Sequence, residues 1–328
     1  MTVALPSPRI VTVTPNPGLD RTLTVPRIIF NQMMRATAVR LDWGGKGFNV
    51  SRALQALGVE SVAMGFIGGA TGQMLERGLS DMGIATDFVP IAGETRTNTV
   101  ITDAGAERYV KVNEPGPTVG AEELATFLDR ARQRVRAGDI WVLCGSLPPG
   151  VPPDFYAQLI ALVQERGAKA LLDTSGEPLR LGCAASLYLV KPNVGEAEEV
   201  TGQQIQSDAD LLRAADFFLG QEIKLVALSL GADGLLLASK ERAVWAGPPS
   251  VGVRNPVGAG DALLAGVAWA LGRGLSLEET ARWGVAAGTA AAMREGVSVG
   301  TRAEVGAMSE RVKVRVALAD ESEIRRLT

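Results

Sequence analysis

Val257-Gly258-Ala259-Gly260-Asp261 runs directly into the apolar stretch Ala262-Leu263-Leu264-Ala265-Gly266-Val267-Ala268-Trp269-Ala270-Leu271. Two glycines let the backbone turn tightly and aim successive N–H groups at one point. The helix that follows starts with N–H groups lacking intrahelical acceptors, at the positive end of its dipole. Such a turn binds anions. Asp261 is its acidic side chain and has two readings. One is a plain helix cap, the usual work of Asp at such a place. The other is a base poised beside a phosphate in transfer.

Composition narrows the choice. The 328 residues include no histidine and two cysteines, Cys144 and Cys183. That removes imidazole bases, Ser-His-Asp and Cys-His arrangements, and histidine-built zinc sites. Two thiols make no disulfide framework and fit a reducing, cytoplasmic setting. Any catalysis must use carboxylates, lysines, arginines and backbone dipoles, with Mg²⁺ the expected helper. A net charge of −3 gives no global field for nucleic acid. No apolar run is long enough for a membrane span, and Met1–Arg9 does not read as a signal peptide.

Upstream, short apolar runs alternate with helical patterns. Strands are expected at Ile10–Thr14, Ser61–Phe66, Ile140–Cys144, Ala168–Asp173, Tyr188–Val190, Leu225–Leu230 and Leu235–Ala238. Helices are expected at Asn49–Leu57, Gly72–Met82, Ala121–Arg136, Pro153–Arg166, Ala209–Leu219, Asp261–Leu271 and Leu277–Met293. Continuous apolar strands separated by helices predict a mostly parallel sheet covered on both faces, with ligands at the strands' carboxyl ends. Two segments, 20–42 and 96–113, are strand-like without helices and predict a small inserted antiparallel sheet. Its turn is expected at Asp103-Ala104-Gly105-Ala106. The tail from Val312 gives no clear signal.

Two further stretches carry chemistry. In Gly44-Gly45-Lys46-Gly47-Phe48-Asn49, glycines allow close backbone approach and Lys46 supplies a positive point charge for a phosphate or hydroxyl. Gly47 stands where a Walker A loop needs Ser or Thr. Lys191-Pro192-Asn193-Val194-Gly195-Glu196 follows an apolar strand. Asn193 and Glu196 share a face if a helix begins there, which suits Mg²⁺ and equally suits a capping box. Arg96, the Ser229–Gly234 loop and Ser146 are weaker signals, since strand-end loops are commonly glycine-rich.

In this combination and order the stretches resemble the ribokinase-like, PfkB-type carbohydrate kinases. The likeness is closest to the branch containing 1-phosphofructokinase and tagatose-6-phosphate kinase. It implies a three-layer α/β/α fold with an inserted β lid and one kinase domain over residues 1–328. It implies Asp261 as base, and Gly258, Ala259 and Gly260 as the anion hole. Asp20, Gly45 and Asn49 would hold sugar hydroxyls. Lys46, Arg96 and Ser146 would hold a phosphate already on the sugar. Lys191, Asn193 and Glu196 would organise ATP and Mg²⁺, the last two as metal-side ligands. Ser229, Gly231 and Gly234 would line the nucleotide site, with Gly288 near the adenine. The resemblance implies a homodimer through the lid and a phosphorylated ketohexose as acceptor: fructose 1-phosphate first, tagatose 6-phosphate and fructose 6-phosphate behind it. A sugar-phosphate-binding regulator is the reading from a different class. The helix dipole is expected to lower the pKa of Asp261.

Overall fold

The computed structural model describes residues 8–103, 108–294, 298 and 300–318. In chain order its elements are β1 (Ile10–Thr14), β2 (Gly18–Val25), β3 (Ala38–Gly44), α1 (Lys46–Ala56), β4 (Ser61–Ile67), α2 (Gly69–Asp81), β5 (Ala85–Pro90), β6 (Arg96–Asp103) and β7 (Tyr109–Val112). There follow α3 (Ala121–Arg134), β8 (Ile140–Cys144), α4 (Phe155–Glu165), β9 (Lys169–Asp173), α5 (Gly176–Cys183), β10 (Leu189–Val190), α6 (Val194–Thr201), α7 (Asp208–Leu219) and β11 (Leu225–Ser229). The chain closes with β12 (Leu235–Ala238), β13 (Arg242–Gly247), α8 (Ala259–Leu271), α9 (Leu277–Ala292), α10 (Arg302–Ser309) and β14 (Lys313–Leu318).

Ten strands form one sheet in the order β14-β13-β12-β11-β10-β9-β8-β1-β4-β5. The pairs from β11 through β5 are parallel, and the three pairs involving β12, β13 and β14 are antiparallel. Side chains alternate faces along each strand. Val11, Trp141, Leu143, Val226 and Leu228 enter one core with α3, α4 and α7. Ile10, Ile140, Val142, Leu225 and Ala227 enter the other with α1, α8 and α9. Both faces are therefore covered, which is why these strands read as unbroken apolar runs. The layers are α/β/α, as the sequence predicts.

β2, β3, β6 and β7 form a separate four-stranded sheet in the order β3-β2-β6-β7. Its two outer pairs are antiparallel, while β2 and β6 run parallel at its centre. The Asp103 N–H donates to the Arg108 carbonyl across the expected turn (3.1 Å); Ala104–Ala106 lie outside the described residues. Elements absent from the expected set also appear, namely β5, β13, α5, α6 and α10. The tail from Val312, read as silent, supplies edge strand β14.

α8 and α9 pack backbone to backbone. A Cβ on Gly266 would lie 2.4 Å from the Trp283 carbonyl oxygen, and one on Gly284 would lie 2.7 Å from Val267. Only hydrogen at these positions allows so close an approach. The helix that carries Asp261 is thereby fixed against the body of the protein, with Trp269 Nε1 donating to the Leu57 carbonyl (3.1 Å).

Candidate active site

Gly258 is the N-cap of α8, with φ 82° and ψ −5°. This left-handed conformation suits glycine and turns the chain into the helix. Asp261 is the third helical residue, so the cap is the glycine. The Asp261 carboxylate is 7% exposed. Its Oδ2 accepts from Asn49 Nδ2 at 2.7 Å. The amide of Asn49 is in turn oriented by Arg52, whose Nη1 donates to Asn49 Oδ1 (3.0 Å) and Nη2 to the Trp43 carbonyl (2.6 Å). The Ala259 N–H donates to the Pro256 carbonyl at 3.2 Å. Of the expected anion hole, that donor is already engaged.

A buried carboxylate that sequence reading missed organises the floor. Asp173 ends β9 and is 1% exposed. Lys46 Nζ donates to its Oδ1 at 2.9 Å, and Lys191 Nζ lies 3.3 Å from its Oδ2. A Cβ on Gly260 would lie 3.9 Å from Lys191 Nζ, so this ammonium faces the helix-start turn. Burial alone would raise the Asp173 pKa; the two lysines outweigh it and hold the carboxyl below the usual range. Burial would likewise lower Lys46, yet Asp173, Asp261 and Glu196 together hold its ammonium above the ordinary lysine range.

Asp261 corrects the sequence expectation. Its pKa is raised to about 6, first by burial and second by the charge of Asp173. The hydrogen bond from Asn49 and the ammoniums of Lys46 and Lys191 pull the other way without winning. The dipole argument treats the carboxylate as solvated, and desolvation dominates once it is buried.

The other expected residues fall on two sides of this centre. On one side, Asp20 on β2 accepts from Asn98 Nδ2 across the β2–β6 pair (2.8 Å). A Cβ on Gly44 would meet its carboxylate at 2.5 Å, so glycine there admits the acid. Arg96 donates from Nη2 to the Asn16 carbonyl (2.8 Å) and from Nη1 to that of Glu114 (2.9 Å). Asn16 Nδ2 lies 3.4 Å from Ser146 Oγ. Arg96 Nε, Asn16 Oδ1 and Asn98 Oδ1 are buried without hydrogen-bond partners among the described residues. Buried polar atoms rarely stay unpaired, so these three stand out among the described residues.

On the other side, Asn193 caps α6. Its Oδ1 accepts from Glu196 N, and its own N–H donates to Glu196 Oε2, both at 2.9 Å. The capping-box reading is thus realised. Ser229 N–H donates to the Pro192 carbonyl (2.9 Å), holding the ends of β11 and β10 together. Gly231 and Gly234 both have positive φ in the loop after β11. A Cβ on Gly288 would lie 3.0 Å from the Ala259 carbonyl, so this glycine sits where α9 crosses the start of α8. Among the described residues no group of three or more Asp, Glu or Cys is placed to hold a metal alone, and no helix is long and apolar enough to cross a membrane.

The loop Gly44–Asn49 spans the whole centre: Gly44 faces Asp20, Lys46 faces Asp173 and Asn49 faces Asp261. A three-layer fold that sets two ammoniums and a helix start around a base-strength carboxylate belongs with the phosphotransferases that act on alcohol groups. The family model of the pfkB family carbohydrate kinases matches residues 18–303, and the chain belongs to that family. It is 38% identical over 265 residues to the 1-phosphofructokinase of Xanthomonas campestris pv. campestris, covering 80% of this chain and 83% of that one. It is 35% identical over 305 residues to the 1-phosphofructokinase of Bacillus subtilis, covering 93% and 99%. The crystal structure of phosphofructokinase-2 from Escherichia coli in complex with fructose-6-phosphate superposes with a TM-score of 0.86 at 32% identity, covering 92% and 98%.

Proposed function

We propose that this chain transfers the γ-phosphoryl group of ATP to fructose 1-phosphate, giving fructose 1,6-bisphosphate and ADP. The observation that carries the reading is Asp261, buried and raised to a pKa of about 6, at a helix start faced by Lys191. Asp261 takes the proton of the attacking hydroxyl as that oxygen bonds the γ-phosphorus and the bond to ADP breaks. A loose transition state asks for positioning and charge stabilisation more than for a strong base. The first-turn N–H groups of Gly260 and Asp261 and the Lys191 ammonium face the developing charge. Asp20, Asn98 and Asn49 orient sugar hydroxyls. Arg96, Ser146 and Lys46 take the existing phosphate, and the unpaired Arg96 Nε supports that role.

The loops after β10 and β11 carry the nucleotide. Glu196 fits a nucleotide-borne Mg²⁺, because its cap uses Oε2 and one free carboxylate oxygen beside phosphates is a usual Mg²⁺ set. Bound there, the ion would neutralise phosphate charge. The small sheet is read as a lid. Exposed Tyr109 and Val112 on β7, with Phe30 and Met33 in the β2–β3 connection, support a homodimer formed across it. Sedimentation of the purified chain should show a dimer; a monomer at micromolar concentration removes this part of the proposal. A cytoplasmic setting follows from the chemistry and the free, buried thiols.

An ADP-release assay with fructose 1-phosphate, fructose 6-phosphate, tagatose 6-phosphate and adenosine tests the reading. The highest kcat/KM is expected with fructose 1-phosphate. A preference for another phosphoketose reassigns the substrate, and no turnover with any acceptor leaves a sugar-phosphate-binding regulator.

A further inference from the structure

A cavity of about 740 Å³ opens between the segment before α8, the end of α9 and α10. Three arginines from three separate segments line it: Arg254, Arg294 and Arg311. Its one acidic lining residue among those described, Glu304, is taken up by Arg294 and by a helix cap, leaving Arg254 and Arg311. Glu304 accepts from Arg294 Nη2 and from the Thr301 N–H, both at 2.6 Å, the latter as part of a capping box. The guanidiniums of Arg254 and Arg311 make no ion pair or hydrogen bond among the described residues. Met293 and Met308, 36% and 8% exposed, add an apolar, polarisable surface.

None of this belongs to the centre around Asp261. The size is that of a small-molecule site, and the lining pairs unspent positive charge with apolar area. Planar guanidiniums hold phosphates by paired N–H bonds. We propose that this cavity is a second binding site, for a small organic phosphate with a flat apolar body. The phosphate lies between Arg254 and Arg311, and the apolar body lies on Met293 and Met308.

The site also touches the path into the catalytic turn. The N–H groups of Arg254 and Asn255 both donate to the Ala292 carbonyl at the end of α9, at 2.8 and 3.1 Å. The same segment continues within a few residues to Gly258. A ligand bridging Arg254 to Arg311 therefore pins the segment that feeds the helix start, as an effector would.

Phenyl phosphate is the probe. Calorimetric titration of the full chain should show saturable binding by ~10 mM, the weak end for a ligand of this size. The double variant R254S/R311S should weaken it at least roughly tenfold, the value of losing a charge-assisted pair. Both side chains are exposed, so the variant should melt with the wild type. Lys46→Ala, which alters the other site, should leave the affinity unchanged. Inorganic phosphate should bind several-fold more weakly, having nothing to lay on the methionines. Absence of saturation, equal affinity for inorganic phosphate, or loss in Lys46→Ala with retention in the arginine variant would each overturn the proposal.

Discussion

Asp261→Asn is expected to lower kcat at least roughly a hundredfold, the low end for removing a general base, while nucleotide affinity stays within about twofold. The amide keeps the carboxylate's shape and can still accept from Asn49, so the site is not rearranged. Stability should move the other way. The folded-state pKa of about 6 lies above the 3.8 of an ordinary solvated aspartate, so the folded chain holds this proton more tightly than the unfolded chain does. That contribution is fully present below pH 4 and is lost as pH rises through 6. At pH 7.5 the ionised group costs at most about 3 kcal/mol, which asparagine does not incur. The variant should therefore melt at or above the wild type at pH 7.5, with the gap closing towards pH 5. Stopped turnover and thermal melts read the two effects separately. Near-normal turnover would remove Asp261 as the base.

The second large effect is at Asp173. Asparagine there leaves Lys191, 5% exposed, without its buried counter-charge. Breaking a buried pair costs about 3 kcal/mol at the low end, which is the appropriate end because Lys46 reaches solvent. A fall in kcat of roughly tenfold to a hundredfold should accompany it, as the two ammoniums lose their anchor. The pH profile separates positioning from mere destabilisation. In the wild type, kcat/KM should fall below pH 6 as Asp261 gains its proton. Removing the negative charge of Asp173 lowers the Asp261 pKa, so the acid limb should move to lower pH in Asp173→Asn. An unmoved limb would confine Asp173 to a structural role.

How far the sequence reaches is visible at these two carboxylates. Asp261 stands in a glycine turn before an apolar run, a local pattern with a local cause. Asp173 ends an ordinary apolar strand, and its partner Lys46 is 127 positions away in the chain. Only the parallel register of β8 against β9 and β1 brings them together. An acid at the carboxyl end of a buried strand, in Leu171-Leu172-Asp173-Thr174, was the available hint. The missing elements have similar causes. β5 and β14 are edge strands with exposed positions and lack an apolar run. α5 and α6 are eight residues each and contain glycine, too short and weak for a periodic signal. The Asp261 pKa went astray because a turn can be read locally whereas burial is a property of the finished core.

The glycine contact between α8 and α9 has a mechanical consequence. A helix splinted backbone to backbone along its neighbour has no soft direction in which to swing. The platform bearing Asp261 is the stator of this machine, and its stiffness is set by hydrogen atoms at Gly266 and Gly284. On the proposed function, closure over a bound sugar falls to the four-stranded sheet and the loops that tether it. The same proposal has the acceptor hydroxyl travel to the carboxylate, while the carboxylate stays where the two helices hold it.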